Sequence, residues 1–562
     1  MSSLPVTRLC IAASALLMTT PLCAQTSIDN AVRQHERAIQ ELERERDMKP
    51  SVDVFMPETP AKAQSPSEQP APGCFTVREI APEGHPKDAG EPPDTVLGDF
   101  RGRCLAAVDV NALLANLNRW YQERGFITTR AYAPEQNLST GVLRLKIIPG
   151  KIKGFRINEQ RVPLTGDSRL SAAFPRGAGE ILNLRDLEQG LENINRLPSQ
   201  EGSFKIFPGE EAGDSEVRLD LALKPRWRLT ETAENTGSKT MGQWRGTTEL
   251  ALDNLLGRDD QLALGINTSL QGGTLGGKFK GGTVNWLMPQ GYHLFLVSAA
   301  VYDSQFTLPG INESYGRLET RTQKIAAGYE YLFHRNQRQK ESLVAGLESS
   351  RQWARLGGYD IPSQRSQLSV LYLGAKGKYY EGNRIYDWLL RWEHGIDALD
   401  AMDNLPGGYN PRYQGAKARL TATVPLFGEA LLWRGTLQLQ NGDAQTPLQN
   451  QLFMGGRYDV RGFQDNSLTG YRGGYLRNDV ETKAVSWRGA SITPYVGLDG
   501  GRVKARDSLA LSQNSISGYA LGARLEWQAV RADIAWAAAI SRPQEFNTDP
   551  KHYLYCSVSL TF

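Results

Sequence analysis

The sequence predicts an antiparallel, membrane-type β-barrel of about 16 strands at residues 226–562, preceded by two small α+β domains and an N-terminal helix. Three observations carry this. Apolar residues recur with a period of two, in short segments split by Gly, Asn and Asp turns, from Arg226 to the end. Before that point a β-α-β-β pattern of about 75 residues occurs twice in tandem. The chain opens with the layout of a secretory leader.

Arg8 precedes the apolar run LCIAASALLM, and the small-residue exit PLCAQ follows. This assigns residues 1–24 to a signal peptide cleaved between Ala24 and Gln25. The run is too short to cross a bilayer. Residues 25–49 place Ile28, Val32, Ile39 and Leu42 on one side of an amphipathic helix, which Ser27 or Asp29 can cap. A solvated arm is an equally good reading of the same residues. Residues 50–72 are dense in Pro, Ser and Ala and read as an extended linker.

Of the five cysteines, Cys10 and Cys23 leave with the leader. Cys74 and Cys104 remain as the natural disulfide pair in an oxidising compartment, where closing their loop stabilises the domain by about 3–4 kcal/mol. Cys556 is left over as a small apolar residue. Residues 73–150 read as strand, helix, strand, strand. The helix DVNALLANLNRWYQERGF puts Val110, Leu113, Leu114, Leu117, Trp120 and Tyr121 on one stripe, with Gly125 as its stop. Residues 151–225 repeat the order with KIKGFRI, LNLRDLEQGLENINRL, FKIFPG and SEVRLDLAL.

From residue 226 onward the alternation is that of a barrel wall. In QLALGINTSL, Leu262, Leu264, Ile266 and Leu270 share one face, and Gly265, Asn267 and Ser269 the other. In the last strand, Leu554, Cys556, Val558, Leu560 and Phe562 oppose Tyr553, Tyr555, Ser557, Ser559 and Thr561. A barrel strand hides only alternate residues in lipid, so a mean hydropathy of −0.43 is compatible with a membrane. After the leader, no run approaches the roughly 20 apolar residues of a spanning helix. A net charge of +3 over 562 residues argues against nucleic acid as the main partner.

Enzyme chemistry finds no support in the sequence. GGTLGGKF from Gly272 has Phe279 where a phosphate loop needs Ser or Thr, and it lies between two strands. The histidines at 35, 85, 293, 334, 394 and 552 have no zinc spacing. No catalytic residue, metal ligand or cofactor is predicted. One segment remains unexplained by a barrel alone. GGRYDVRGFQDNSLTGYRGG, residues 455–474, is glycine-dense, carries Arg457, Arg461 and Arg472, and lies in a long loop at about 442–481.

Several stretches match one family. CFTVREI, RGFITTRAY and LSTGVLRLKIIPGKI resemble the first, and LNLRDLEQGLENINRLPS and FPGEEAGDSEVRLDL the second, of two polypeptide-transport-associated (POTRA) domains. NTGSKTMG and LDNLLGRDDQL resemble a first barrel hairpin, DVRGF a loop-tip motif, and GLDGG (497–501) its partner motif on a barrel strand. The chain thus resembles two-partner secretion transporters of the TpsB type, the haemolysin/haemagglutinin secretion-activation family of the POTRA-plus-barrel superfamily.

The resemblance implies that the loop folds back into the lumen with Val460, Arg461, Gly462 and Phe463 at its tip. There Arg461 meets Asp499, between Gly497 and Gly501. It implies an outer-membrane pore with its POTRA domains in the periplasm. The pore exports one large exoprotein, recognised through that partner's N-terminal secretion domain, without ATP. The helix of residues 25–49 becomes a candidate plug, and Phe562 a signal for the barrel-assembly machinery. Outer-membrane lipid and lipopolysaccharide are the surrounding partners. The alternatives are a barrel-assembly factor of the same superfamily and a passive solute porin.

Overall fold

The computed structural model describes residues 73–162, 168–309, 315–507, 511–548 and 550–562. The leader with its Ala24–Gln25 junction, the helix of 25–49 and the linker of 50–72 lie outside the described residues.

The first small domain packs α1 (Ala107–Glu123) on a three-stranded sheet of Glu79–Glu83, Val142–Ile148 and Arg130–Tyr132. Leu113, Leu117 and Tyr121 of α1 meet Leu143, Leu145 and Ile147 of the sheet. Val110 and Leu114, expected on the buried stripe, are half-buried at its margin. A hairpin of Phe75–Val77 and Arg103–Leu105 carries the Cys74–Cys104 disulfide, with a Cα–Cα distance of 5.2 Å. The second domain stacks α2 (Ser168–Ala173) and α3 (Leu184–Asn195) on a sheet ordered Gln160–Val162, Lys151–Ile157, Asp214–Leu223, Gln200–Pro208. Its core joins Phe155, Leu187, Leu191, Ile194, Val217 and Leu219. Strands of three residues and a six-residue helix lengthen the expected four-element pattern, because such short pieces carry no period of their own.

The two domains interlock at the end of α1. Gly125 has φ +89°, and a Cβ there would lie 2.2 Å from the Asn183 side-chain oxygen. Asn183 caps α3 by accepting from the Arg185 amide at 2.8 Å, and its amide group donates to the Arg124 carbonyl. The Leu184 amide donates to the Gly125 carbonyl at 2.8 Å. One glycine therefore both ends a helix and admits the next domain.

The remainder is a closed antiparallel barrel of sixteen strands, in agreement with the expected fold class. They are β1 (Trp227–Glu234), β2 (Arg245–Asp253), β3 (Gln261–Ser269), β4 (Lys278–Gln290), β5 (His293–Pro309), β6 (Tyr315–Arg335), β7 (Gln339–Leu356), β8 (Ser366–Glu381), β9 (Arg384–Ile396), β10 (Gln414–Leu426), β11 (Leu431–Asn441), β12 (Arg472–Thr482), β13 (Ala490–Lys504), β14 (Ser515–Trp527), β15 (Val530–Ser541) and β16 (His552–Thr561). Closure pairs β1 with β16. One barrel end has short turns, such as Gly291–Tyr292 and Gln528–Ala529; the other has the long loops. GGTLGGKF is a loop of that second end, between β3 and β4.

The alternation sorts the side chains. Ile266 is 65 % and Leu498 59 % exposed on the outer wall, whereas Asn267 and Asp499 turn into the lumen and are buried. An outer surface of exposed Leu, Ile and Val right round the barrel is stable only against lipid. The long segment between β11 and β12 spans 442–471. It is shorter than the expected 442–481, because Tyr475, Arg477, Asp479 and Glu481 alternate as part of β12 behind the glycine pair 473–474.

Candidate functional site

The segment 442–471 leaves the long-loop end and folds back inside the barrel. Its stem is a two-stranded ribbon, Leu452–Met454 paired with Leu468–Gly470. Its tip is shaped by Asp459, whose carboxylate accepts from the Gly455 and Val460 amides, while the Gly456 amide donates to the Val460 carbonyl. Val460 and Phe463 are fully buried in an apolar cluster with Leu452, Met454, Leu468, Val503, Ile516 and Phe546. This cluster points Arg461, which lies between them with Gly462, at the wall.

Arg461 is 1 % exposed and makes five polar contacts. Its Nε and Nη2 donate to the two Asp499 oxygens at 2.6 and 2.8 Å, and its own amide reaches the same carboxylate at 3.1 Å. Nη2 also donates to the Asn478 carbonyl at 3.0 Å, and Nη1 lies 2.6 Å from Asp479. The planar guanidinium fork can thus hold one carboxylate bidentately and touch a second. Gly497 and Gly501 make the space. A Cβ on Gly497 would lie 2.0 Å from Arg461 Nη2, and one on Gly501 2.4 Å from Met454 Sδ. Gly462, at φ +98°, crosses the backbone of Ala538 and Ala539 with no room for a side chain.

The structure therefore gathers Val460, Arg461, Gly462, Phe463, Gly497, Asp499 and Gly501 into one contact. Cys74–Cys104 lies far away in the first domain. Phe562 is 64 % exposed on the outer wall at the short-turn end, its amide donating to Leu229. Three participants escaped the sequence reading. Asp479 is the second carboxylate. Tyr555 accepts from the Gly462 and Phe463 amides at 3.3 and 3.2 Å and donates to the Phe463 carbonyl. A Cβ on Gly518 would lie 1.9 Å from the Arg461 carbonyl. The available signal was the period-two set Arg477, Asp479, Glu481, three charges on one strand face.

Further contacts tie the tip around the closure of the barrel. Arg457 pairs with Asp533 of β15 at 3.1 Å, and Tyr458 donates to Glu234 of β1. Gln464 donates to the carbonyls of Asn235 and Gly237, and Asp465 accepts from the Lys239 amide at 2.7 Å. These last residues belong to NTGSKTMG, the turn between β1 and β2. The opposite half of the lumen is lined by ion pairs, Lys376–Glu330 at 2.7 Å, Arg391–Glu348 at 2.7 Å and Lys417–Glu393 at 2.9 Å.

At the short-turn end the second domain seals onto the barrel rim. The Asn193 side chain donates to the Gly291 carbonyl at 2.8 Å, and the Gly291 amide donates to Ala172. Tyr292 donates to Asp186, whose other oxygen pairs with Arg176 at 2.9 Å. Glu192 receives Arg335 at 2.6 Å and Lys340. The LDNLLGRDDQL turn joins in, with Asp253 accepting from the Ser199 amide at 3.1 Å and Asp259 from Gln200 at 2.9 Å. Burial pushes the Asp186 carboxyl up, against the pull of Tyr292 and Arg176. Burial acts the same way on Glu192, but Lys340 and Arg335 outweigh it and hold that carboxyl below the usual range.

Comparison with known proteins agrees with this architecture. The chain is 29 % identical over 527 residues to the outer membrane transporter CdiB of Dickeya dadantii, covering 91 % of this chain and 89 % of the relative. It is 27 % identical over 550 residues to the hemolysin transporter protein ShlB of Serratia marcescens, covering 93 % and 94 %. In fold it is similar to CdiB from Escherichia coli, with a TM-score of 0.83 at 23 % identity, covering 95 % of this chain and 98 % of that one. Residues 75–150 match the ShlB-type POTRA domain and 151–208 a POTRA domain. The chain is an outer-membrane barrel whose short-turn end and POTRA domains face the periplasm, and whose long loops face outward. Residues 213–525, more than half the sequence, match the haemolysin secretion/activation protein family ShlB/FhaC/HecB, and the chain belongs to that family.

Proposed function

We propose that this protein exports one large partner exoprotein from periplasm to cell surface by two-partner secretion, and that the Arg461 clamp fixes the resting position of the lumen loop. The observation that carries this is a barrel with POTRA domains sealed on its inner rim and its lumen occupied by a loop held through one arginine. The partner enters unfolded, N-terminal secretion domain first. Strand Gln200–Pro208 is an edge of the second sheet, paired on one side with Asp214–Leu223. Such an edge takes an extended segment by adding a strand, a mode that tolerates many sequences. The edge strand Glu79–Glu83 of the first domain suits this less, because Pro82 has no amide hydrogen to donate.

Folding of the partner outside supplies direction, without ATP. The barrel-assembly machinery reads Phe562, and outer-membrane lipid and lipopolysaccharide surround the finished wall. The test is to delete the gene and compare proteins in the culture medium. Loss of one large exoprotein, restored by the wild-type gene, with other outer-membrane barrels at normal level, supports export. A general fall in those barrels assigns an assembly factor instead, and an unchanged medium with lower solute permeability assigns a porin.

A further inference from the structure

The outer wall of β12 and β13, behind the clamp, carries three cations that the lumen does not use. Arg472 stands directly opposite Lys504 in the ladder, and Arg502 stands opposite Gly474, one step nearer the membrane. All three are exposed. None of the three side chains has a hydrogen bond or ion pair to a described residue. Like charges facing each other across a strand pair repel, and among the described residues no carboxylate lines this surface to relieve them. Two exposed cations elsewhere on the outer wall are answered from within the protein, Arg321 by Asp303 at 2.9 Å and Arg355 by Asp360 at 2.7 Å.

Below the three cations lies a groove of about 730 Å³ lined by Leu437, Leu439 and Leu476. Leu439 and Leu476 are 45 % and 43 % exposed, on the same face as Leu498 of the lipid belt. The groove exists because Gly474 and Gly500 occupy outward positions between the leucines. Gly474 has no room for a side chain, since a Cβ would lie 2.7 Å from the Gln438 carbonyl oxygen. Gly500 has room: its nearest atom would be 3.7 Å away, so a side chain there is excluded by no neighbour in the fold.

An apolar groove continuous with the lipid belt, capped at its outward end by uncompensated cations, has the shape of a phosphorylated, acylated lipid. We propose that this surface binds the phosphate-bearing, multiply acylated glycolipid of the outer leaflet, lipid A in chemical class. A phosphate sits among Arg472, Arg502 and Lys504, and an acyl chain packs on the leucines across Gly500. Planar guanidinium groups bind phosphate oxygens bidentately, and the lysine adds a point charge. The site lies on the two strands whose inner faces carry Asp479 and Asp499, so a bound lipid braces the wall that holds Arg461.

The test uses the purified full-length protein in detergent and native mass spectrometry. The probes are bis-phosphorylated hexa-acyl lipid A, its dephosphorylated form and inorganic phosphate. The triple variant Arg472→Ala, Arg502→Ala, Lys504→Ala is expected to bind lipid A about 100-fold more weakly, from roughly fivefold per surface cation, with its barrel still heat-modifiable. Gly500→Leu keeps every charge but fills the groove, and is expected to weaken lipid A binding as well. Lys280→Ala, on the outer wall of β4, is expected to leave it unchanged. The proposal is overturned if the triple variant binds as the wild type does, or if the wild type takes dephosphorylated lipid A equally well. It is also overturned if inorganic phosphate competes with lipid A at equal concentration, which would make this a free-phosphate site.

Discussion

Arg461 is buried with two carboxylates, so its loss and theirs are unequal. Removing one partner of a buried charge pair costs about 3–5 kcal/mol, because the other is left uncompensated. Arg461→Ala leaves Asp499 without a cation, while Asp479 keeps Arg477 and Arg524 at 3.4 Å, and it should abolish most secretion while leaving a folded barrel. Asp499→Ala leaves Asp479 at 2.6 Å from the guanidinium, so its loss should be smaller. The double variant should be little worse than Arg461→Ala, as coupled residues behave. Exported partner in the medium, normalised to barrel in the membrane, reads all three; multiplied losses in the double variant would separate the residues. Gly497→Ala makes a sharper case. It changes no charge, yet its methyl would lie 2.0 Å from Nη2, so it should impair secretion nearly as much as Arg461→Ala. The pairing of Arg461 with Asp499 was legible because each sits in a five-residue motif. Asp479 and Tyr555 were not, since which lumen side chains meet the tip depends on strand register, and alternation gives the face of a residue but not its height.

At the scale of elements, the joint between α3 and the barrel rim is the place where acid should act. Glu192 is held below the usual carboxylate range, so its contribution is present above the unfolded-state pKa and lost as pH falls through the folded one. Asp186 on the same helix is raised, and its contribution has the opposite sign: present at low pH, lost as pH rises through its folded value. Glu192→Gln should weaken docking at neutral pH and remove the acid-dependent limb that Glu192 supplies. Arg335 is 7 % exposed and suffers most, while Glu192 itself is 37 % exposed, so screening reduces the penalty of a buried pair to about 2 kcal/mol. Protease cleavage of the POTRA domains across a pH series, in wild type and variant, measures it; identical profiles would count against the joint. The barrel strands and both long helices were legible from their periods. The rim contact was not, because its central pieces, Gly291 and Tyr292, form a two-residue turn with no pattern to read.

The whole molecule closes through a short seam. β1 and β16 are joined in register from Thr230–Thr561 to Glu234–Ser557, and the Phe562 and Leu229 backbones extend the pairing by one step. Deleting Phe562 should therefore lower the amount of heat-modifiable barrel in the membrane, with secretion per folded barrel unchanged. Normal insertion with lost secretion would contradict that assignment. Strand number was legible because chain length divided by a strand and its connection leaves little latitude. The contacts of the loop tip across the seam were not, since they join residues more than 200 positions apart. The far half of the lumen has a consequence of its own. Three of its bases are answered by acids, Lys376 by Glu330, Arg391 by Glu348 and Lys417 by Glu393. At those three places a sliding polypeptide meets a paired charge, which attracts a segment of either sign less than a lone charge does. Such pairs make that stretch of wall more a bearing than a sieve, which favours a choice of passenger made at the doorstep, before the first residue is inside.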